Sequence, residues 1–347
     1  MMDFDIQVAH SVQEIGQEAW DRLGRGRPFA SYGWYRFGEA VLVEDTPTYL
    51  VLSQGGRAVA RATFWLKKQE PLPLPAGVAR RAVQAMLRRW PLLVCRSPLS
   101  ATSGLILPEP PLRDAALETV ARFAQNLAQQ YRVSFLIFDY LERCQTEWAG
   151  WPDAFVAASS PDPGTRLEIV WPDFESYLKH LGKSVRKDYR RQRNRVADLG
   201  VSVTWHQKAT QVDEAMTLIR NVEQHHNSPP NPWTRQMLEN LGLVDATWLQ
   251  AEIEGRLIGC GLLIGDGGVR FLALLGLDYD VRYVYFHLFF TAIRCAVDQG
   301  VQVLRGGSGA YDLKQRLGFQ PEHNNHVVFA GRGMLLQKVG RWAAGTV

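Results

Sequence analysis

Near the end of this 347-residue chain, Ser308, Tyr311 and Lys314 lie within the stretch Val301–Phe319, whose pattern suits an anionic or carbonyl ligand. The stretch reads as a buried strand, a glycine-rich loop and a short helix starting near Tyr311. Gly306, Gly307 and Gly309 let the backbone turn sharply and approach a ligand closely. Free N–H groups point outward where a helix begins, and Lys314 projects from the first turns. Ser308 either caps that helix or touches substrate. Loops of this kind occur in many folds, so the rest of the chain must narrow the chemistry.

The densest charge lies further upstream. Lys183, Arg186, Lys187, Arg190, Arg191, Arg193 and Arg195 are opposed only by Asp188, seven cations against one carboxylate in a chain of net charge +4. On a helix, Arg186, Arg190 and Arg193 share one face, and Lys187, Arg191 and Arg195 an adjacent one. Such a surface attracts polyphosphate, RNA backbone or anionic lipid head groups; a solvated charged face is the plainer alternative. A second basic segment, residues 78–90, carries Arg80, Arg81, Arg88 and Arg89 beside an apolar stripe ending in Trp90. It is either a helix packed on its own domain or a candidate for peripheral contact with an anionic membrane.

His225-His226 resembles a metal pair only superficially. Adjacent helical side chains point about 100° apart and no acidic residue is spaced to complete a site, so no metal is expected. The proline-rich segment that follows suits the rim of a substrate cleft, with His226 and Asn231 as candidate contacts. No Ser-His-Asp or Walker spacing stands out.

Hydrophobic residues make up 46% of the chain, and mean hydropathy lies slightly below zero. This suits a soluble protein with room for two cores. The net charge is too small to imply a nucleic-acid protein by itself, and DNA is not an expected partner. Cys95, Cys144, Cys260 and Cys295 are scattered, as free thiols in a reducing cytosol would be. The start, Met-Met-Asp-Phe-Asp-Ile, lacks a signal-peptide pattern, and no apolar run approaches the ~20 residues of a membrane span. The expected location is cytoplasmic, with the inner face of the membrane as the place where residues 78–90 would act.

The elements that position these residues read in two similar series. First come a strand at Asp5–His10, a helix capped by Ser11 over Val12–Leu23, and a helix capped by Ser31. A hairpin follows across Gln54–Arg57, then an irregular stretch at 70–77, a helix capped by Asp114 and a buried strand at Val133–Tyr140. The second series has a strand at Thr165–Trp171, a helix capped by Asp173, the basic helix capped by Ser184, a strand at Val201–Trp205, and helices at Val212–His226 and Trp233–Leu241. A three-strand meander over residues 248–275 and a long apolar helix, Tyr283–Gln299, lead into the strand at Val301. The repeated order predicts two similar α/β (α+β) domains, 1–160 and 161–347, joined by a turn-rich linker near Ser159–Gly164.

The segment Phe174–Arg195, with its Phe-Glu-Ser-Tyr-Leu opening and its Arg-Lys-Asp-Tyr-Arg-Arg run, resembles a signature of FemAB-like acyltransferases within the GNAT superfamily. Glu254–Gly259, the long helix and Asp312–Phe319 resemble the end of such a domain. The resemblance covers roughly residues 165–330, and more weakly 1–160. It implies two tandem GNAT-like domains, each a mixed, mostly antiparallel sheet flanked by helices, the first degenerate, with a cleft between them.

It also implies transfer of an acyl or aminoacyl group from a CoA thioester or aminoacyl-tRNA to an amine, in cell-envelope or polysaccharide biosynthesis. Lys314 stands where the family has a Phe-Lys pair, although Leu313 replaces the Phe. There it would bind the donor carbonyl or phosphate and stabilise the oxyanion, and Tyr311 would protonate the leaving group. Leu275, Arg282 and Ser308 are the implied cofactor contacts. CoA-binding relatives carry a glycine-containing pyrophosphate loop before the long helix, whereas this chain has Arg282-Tyr-Val-Tyr-Phe-His287. Its bulky residues count against ordinary CoA binding, leaving acyl-CoA as one candidate donor. The alternative reading is a non-catalytic GNAT-like module that binds RNA or anionic lipid through residues 183–195.

Overall fold

A computed structural model describes residues 4–70, 77–333 and 336–338. Of the irregular stretch expected at 70–77, residues 71–76 lie outside the described residues, as do the side chains of Val78 and Ala79. The chain forms two compact units: one runs up to Glu70 and includes Gly77–Pro163 and the chain from His323 onward, and the other holds Gly164–Glu322.

In the first unit, β1 (Asp5–Ala9), α1 (Val12–Ile15), α2 (Gln17–Gly24) and α3 (Tyr32–Val41) precede the hairpin of β2 (Thr46–Gln54) and β3 (Arg57–Lys67). There follow α4 (Val78–Arg89), β4 (Leu92–Cys95), β5 (Leu105–Ile106), α5 (Arg113–Gln130), β6 (Phe135–Leu141), α6 (Arg143–Thr146) and β7 (Val156–Ser159). The Ser11 and Ser31 caps form as the sequence predicts. The first expected helix is broken at Gly16, and α5 starts one residue before Asp114, which falls in the first turn.

The second unit contains β8 (Thr165–Glu168), α7 (Phe174–His180), α8 (Lys183–Asp198), β9 (Ser202–His206), α9 (Val212–His225) and α10 (Thr234–Glu239). The meander is β10 (Asp245–Ile253), β11 (Arg256–Asp266) and β12 (Val269–Leu277). It is followed by α11 (Val284–Asp298), β13 (Val303–Arg305), α12 (Tyr311–Arg316) and β14 (Gln320–Pro321). Asp173 caps α7 through its Oδ1, 2.7 Å from the Ser176 N–H. Gly182, not Ser184, precedes α8, so Ser184 sits inside the first turn.

The sheets make the duplication explicit. The first runs β1-β2-β3-β4-β6, continuing to β15 (His326–Gly331) and β7; the second runs β9-β10-β11-β12-β13, continuing to β8 and β14. In each, antiparallel neighbours lead to one parallel pair, β4 with β6 and β12 with β13. A long helix makes each crossover, α5 or α11. One difference from the sequence division is that β15 pairs with β6 and β7, so the segment assigned to the second domain after residue 322 belongs with the first unit. A six-residue strand at a chain end carries no local sign of which sheet it completes.

The core of each unit lies against its sheet. In the second, Gly259 faces Val284 and Leu288 of α11, while the adjacent Cys260 faces α9 across Gly276. Successive strand residues point to opposite faces, so α9 and α11 cover the two sides of β11. That is why β11 is buried almost throughout and reads as a continuous apolar run. In the first unit, a buried ionic chain joins Asp45, Lys67, Glu70, Arg96 and Asp139. Beside it, Arg61 is 1% exposed and lies 3.8 Å over the Trp20 ring.

Where β13 ends, Arg305 forms a bidentate pair with Glu322, at 2.6 and 2.8 Å. Both side chains are largely buried, so removing Glu322 takes away the carboxylate that balances a buried guanidinium. Glu322→Ala should lose about 3–5 kcal/mol of stability in urea unfolding, and an unchanged midpoint would show that this pair does not hold the end of β13.

Candidate functional site

The site is created by a strand that runs out of partner. β12 and β13 pair only through Val269–Val303, Arg270–Leu304 and Phe271–Arg305. Beyond Phe271, β12 continues to Leu277, while the other chain leaves into the Gly306–Ala310 loop and α12. A β-bulge starts the divergence: Leu262 opposes Leu274 and Leu263 opposes Leu272, leaving Ala273 unpaired. A bulge bends its strand and increases the local twist. Among the described residues no strand pairs with this edge of Leu272–Leu277. Alternate main-chain N–H groups there face away from β11.

The divergence opens a cavity of about 780 Å³. Its walls are β12 from Leu272 to Leu275 with Leu277, the loop residues Gly306, Ser308, Gly309 and Ala310, and Leu313 and Lys314 of α12. Tyr285 and Phe289 of α11 and Val222 of α9 complete the apolar part. The exposed His225, His226, Ser228 and Tyr279 form the mouth. Every lining residue belongs to the second unit.

Lys314 is 4% exposed. Its Nζ donates to the carbonyls of Gly306 at 2.8 Å, Gly307 at 3.1 Å and Ser308 at 3.1 Å. An ammonium has three protons, so all are committed to the loop. This corrects the expected geometry: Lys314 lines the cavity, but it holds the loop and does not point a free donor at a ligand. The loop can wrap the ammonium because Gly307 and Gly309 take positive φ, 68° and 80°. Burial pushes the lysine down from 10.5 to about 8, while its three acceptors favour the charged form.

The other expected residues divide. Leu275, Ser308 and His226 line the cavity. Tyr311, Arg282 and Asn231 are not among its lining residues. Asn231 instead organises its own loop, accepting from the Trp233 N–H at 2.9 Å through Oδ1. Arg282 is exposed before Tyr283, which takes φ 74° at the start of α11. Tyr285 turns into the cavity and packs on Phe289, so a bulky ring occupies the wall beside that helix start. Burial raises its phenol, and that of Tyr279, above the usual tyrosine value.

Two residues that the sequence reading weighed but did not assign to the site line it: His225, stacked on Tyr279 with ring centroids 4.1 Å apart, and Tyr285. Only the loop after His226 hinted that this helix end reaches a site.

The basic helix shapes a second, smaller cavity of about 380 Å³ between α7 and α8. Lys179, Arg186, Arg190 and Arg193 surround Tyr189, with Glu175 the one carboxylate. The face predicted from spacing, Arg186, Arg190 and Arg193, is therefore brought together. Arg186 is partly spent, donating to the Lys179 and Leu181 carbonyls at the end of α7. Arg193 and Arg294 lie near His287, and burial together with both cations depresses that imidazole. Lys183 and Lys187 are exposed, and Arg191 pairs with Asp188 at 3.3 Å. On α4, Arg81, Arg88, Arg89 and Trp90 are exposed while Leu87 is buried. No described helix is long and apolar enough to cross a membrane, and the described residues include no group of three His, Cys, Asp or Glu able to hold a metal ion.

Lys314 makes a pH prediction. Between about 8 and 10.5 the unfolded chain holds more protons than the folded one, so stability should rise with pH across that window. Lys314→Met should abolish this rise in urea midpoints. Parallel pH curves for the two proteins would mean that the carbonyls cancel the effect of burial and leave this lysine unshifted.

A family model described as FemAB-like, peptidoglycan biosynthesis/recognition, matches residues 11–344. No curated protein sequence matches. A crystal structure of FemX superposes with TM-score 0.64 at 11% identity, covering 97% of this chain and 99% of that one. A tandem GNAT protein from the clavulanic acid biosynthesis pathway gives 0.56 at 14% identity, covering 95% and 99%. The C-terminal domain of a putative lysylphosphatidylglycerol synthetase from Agrobacterium fabrum gives 0.55 at 11%, covering 97% of each chain. These likenesses establish a tandem GNAT fold. The chain belongs to the FemAB-like family.

Proposed function

We propose that this FemAB-like transferase moves an acyl or aminoacyl group to an amine acceptor of the cell envelope, with the reaction centred on the open edge of β12. The observation that carries the reading is the cavity where β12 and β13 part, with unpaired main-chain groups on one wall. The donor carbonyl accepts from N–H groups of Leu272–Leu277, which polarise it and stabilise the oxyanion. The acceptor nitrogen attacks the carbonyl carbon. A C–N bond forms and the bond to the donor's sulfur or oxygen breaks. His225 and His226, at the mouth, are placed to take the proton from nitrogen; Tyr285, kept neutral by burial, is placed to give one to the leaving group.

Lys314 acts through the loop it holds and is a positioning residue. The notch on α8 holds phosphate of the donor or acceptor, whether from CoA, aminoacyl-tRNA or a lipid-linked precursor. The exposed arginines and Trp90 of α4 are the candidate surface for meeting an anionic membrane.

The test is transfer to amine acceptors from envelope precursors, with Arg190→Gln/Arg193→Gln and Tyr285→Phe measured beside the unaltered protein. The double variant should raise KM for the phosphate-bearing substrate several-fold, flatten its salt dependence and leave kcat unchanged, since these charges bind and do not react. Tyr285→Phe should lower kcat by about 10²-fold or more. If no amine is acylated while RNA or anionic vesicles bind through α8, the protein is a binding module instead.

A further inference from the structure

We propose that the group carried in the β12 cavity is a large, uncharged, apolar acyl chain, as opposed to an acetyl group or an aminoacyl group with a free ammonium. This rests on the transferase reading above and specifies its donor. The volume, about 780 Å³, lies in the range of pockets that bury drug-sized ligands, roughly 300–1,000 Å³. An acetyl group would leave most of it to water.

The interior is built for hydrocarbon. Leu272, Leu274 and Phe289 are buried, and Leu275, Tyr285 and Leu313 pack against the core that holds Leu272 and Phe289. The polar side chains of His225, His226, Ser228 and Tyr279 are exposed, and among the buried lining side chains Lys314 alone is polar, with its ammonium already held by the loop.

Charge disfavours the alternative. No Asp or Glu lines the cavity. A free ammonium carried in would lose its hydration without a carboxylate to replace it. It would also meet Lys314, whose own charge already takes the carbonyls of Gly306, Gly307 and Ser308. A neutral chain meets neither obstacle and gains from every buried methylene. Ala273, left unpaired by the bulge, is the one small side chain that β12 contributes to the wall, so a larger residue there would take up cavity volume.

The test is calorimetric titration of the full chain with ketone analogues of acyl-N-acetylcysteamine thioesters, from acetyl through butyryl and octanoyl to dodecanoyl, with an alanyl analogue beside its propionyl counterpart. These probes carry no phosphate and cannot be transferred. The expected result is a gain of about 4-fold in affinity per methylene until the cavity is full, with the alanyl analogue weaker than the propionyl one. Ala273→Leu should shorten the chain at which the gain stops; the series on the unaltered protein decides the matter even if that variant misfolds. Affinity independent of chain length, or tighter binding of the alanyl analogue, would overturn the inference. Chain-length-dependent binding without acylation of any amine would leave the apolar cavity standing and remove the transferase reading. Transfer from alanyl donors with a flat series would do the reverse.

Discussion

Main-chain hydrogen bonds in a sheet are satisfied by neighbours, and β12 loses one neighbour after Phe271. Everything distinctive about the second unit follows from that loss. The bulge at Ala273 bends the strand away, the three-residue β13 ends in a glycine-containing loop, and the space between them is the cavity. α9 and α11 then fix β11 from both faces, so the open edge is mounted on a rigid sheet. A strand edge of this kind is ordinarily a liability, because it invites another chain to pair with it. Here it is recessed, which turns it into a binding surface.

Lys314 keeps the divergence from closing or collapsing. Without its ammonium, the carbonyls of Gly306 and Ser308 would lose this donor, while that of Gly307 would keep only the Thr165 hydroxyl, 2.8 Å away. Family resemblance alone suggests a lysine that grips substrate; the geometry shows one that grips its own loop. The two roles differ in consequence, since a positioning lysine influences the reaction through the shape of the wall. The basic notch on α8 is separate from this cavity by its lining residues, so recognition of phosphate and the reaction of a carbonyl are assigned to different side chains.

Much of this was legible in the sequence. The capped helices, both hairpin-like runs and the long apolar crossover helix follow from periodicity and turn residues, and the repeated order exposed the duplication. The face made by Arg186, Arg190 and Arg193 was readable because helical spacing fixes which side chains are neighbours. What escaped depended on tertiary register. The bulge at Ala273 has no local signal, and nothing in His326–Gly331 says that it completes the first sheet. Tyr311 and Asn231 were plausible from type and position, yet the cavity is lined by Tyr285 and His225. Which side of a loop a residue faces is decided by packing.

The central claim is that the open edge of β12 holds the reacting carbonyl. Amide hydrogen exchange, with and without the octanoyl ketone analogue bound, tests it most directly. The account predicts slowed exchange concentrated in Leu272–Leu277 and the Gly306–Ala310 loop, with α8 unchanged. Protection confined to α8, with the β12 amides exchanging as before, would contradict it.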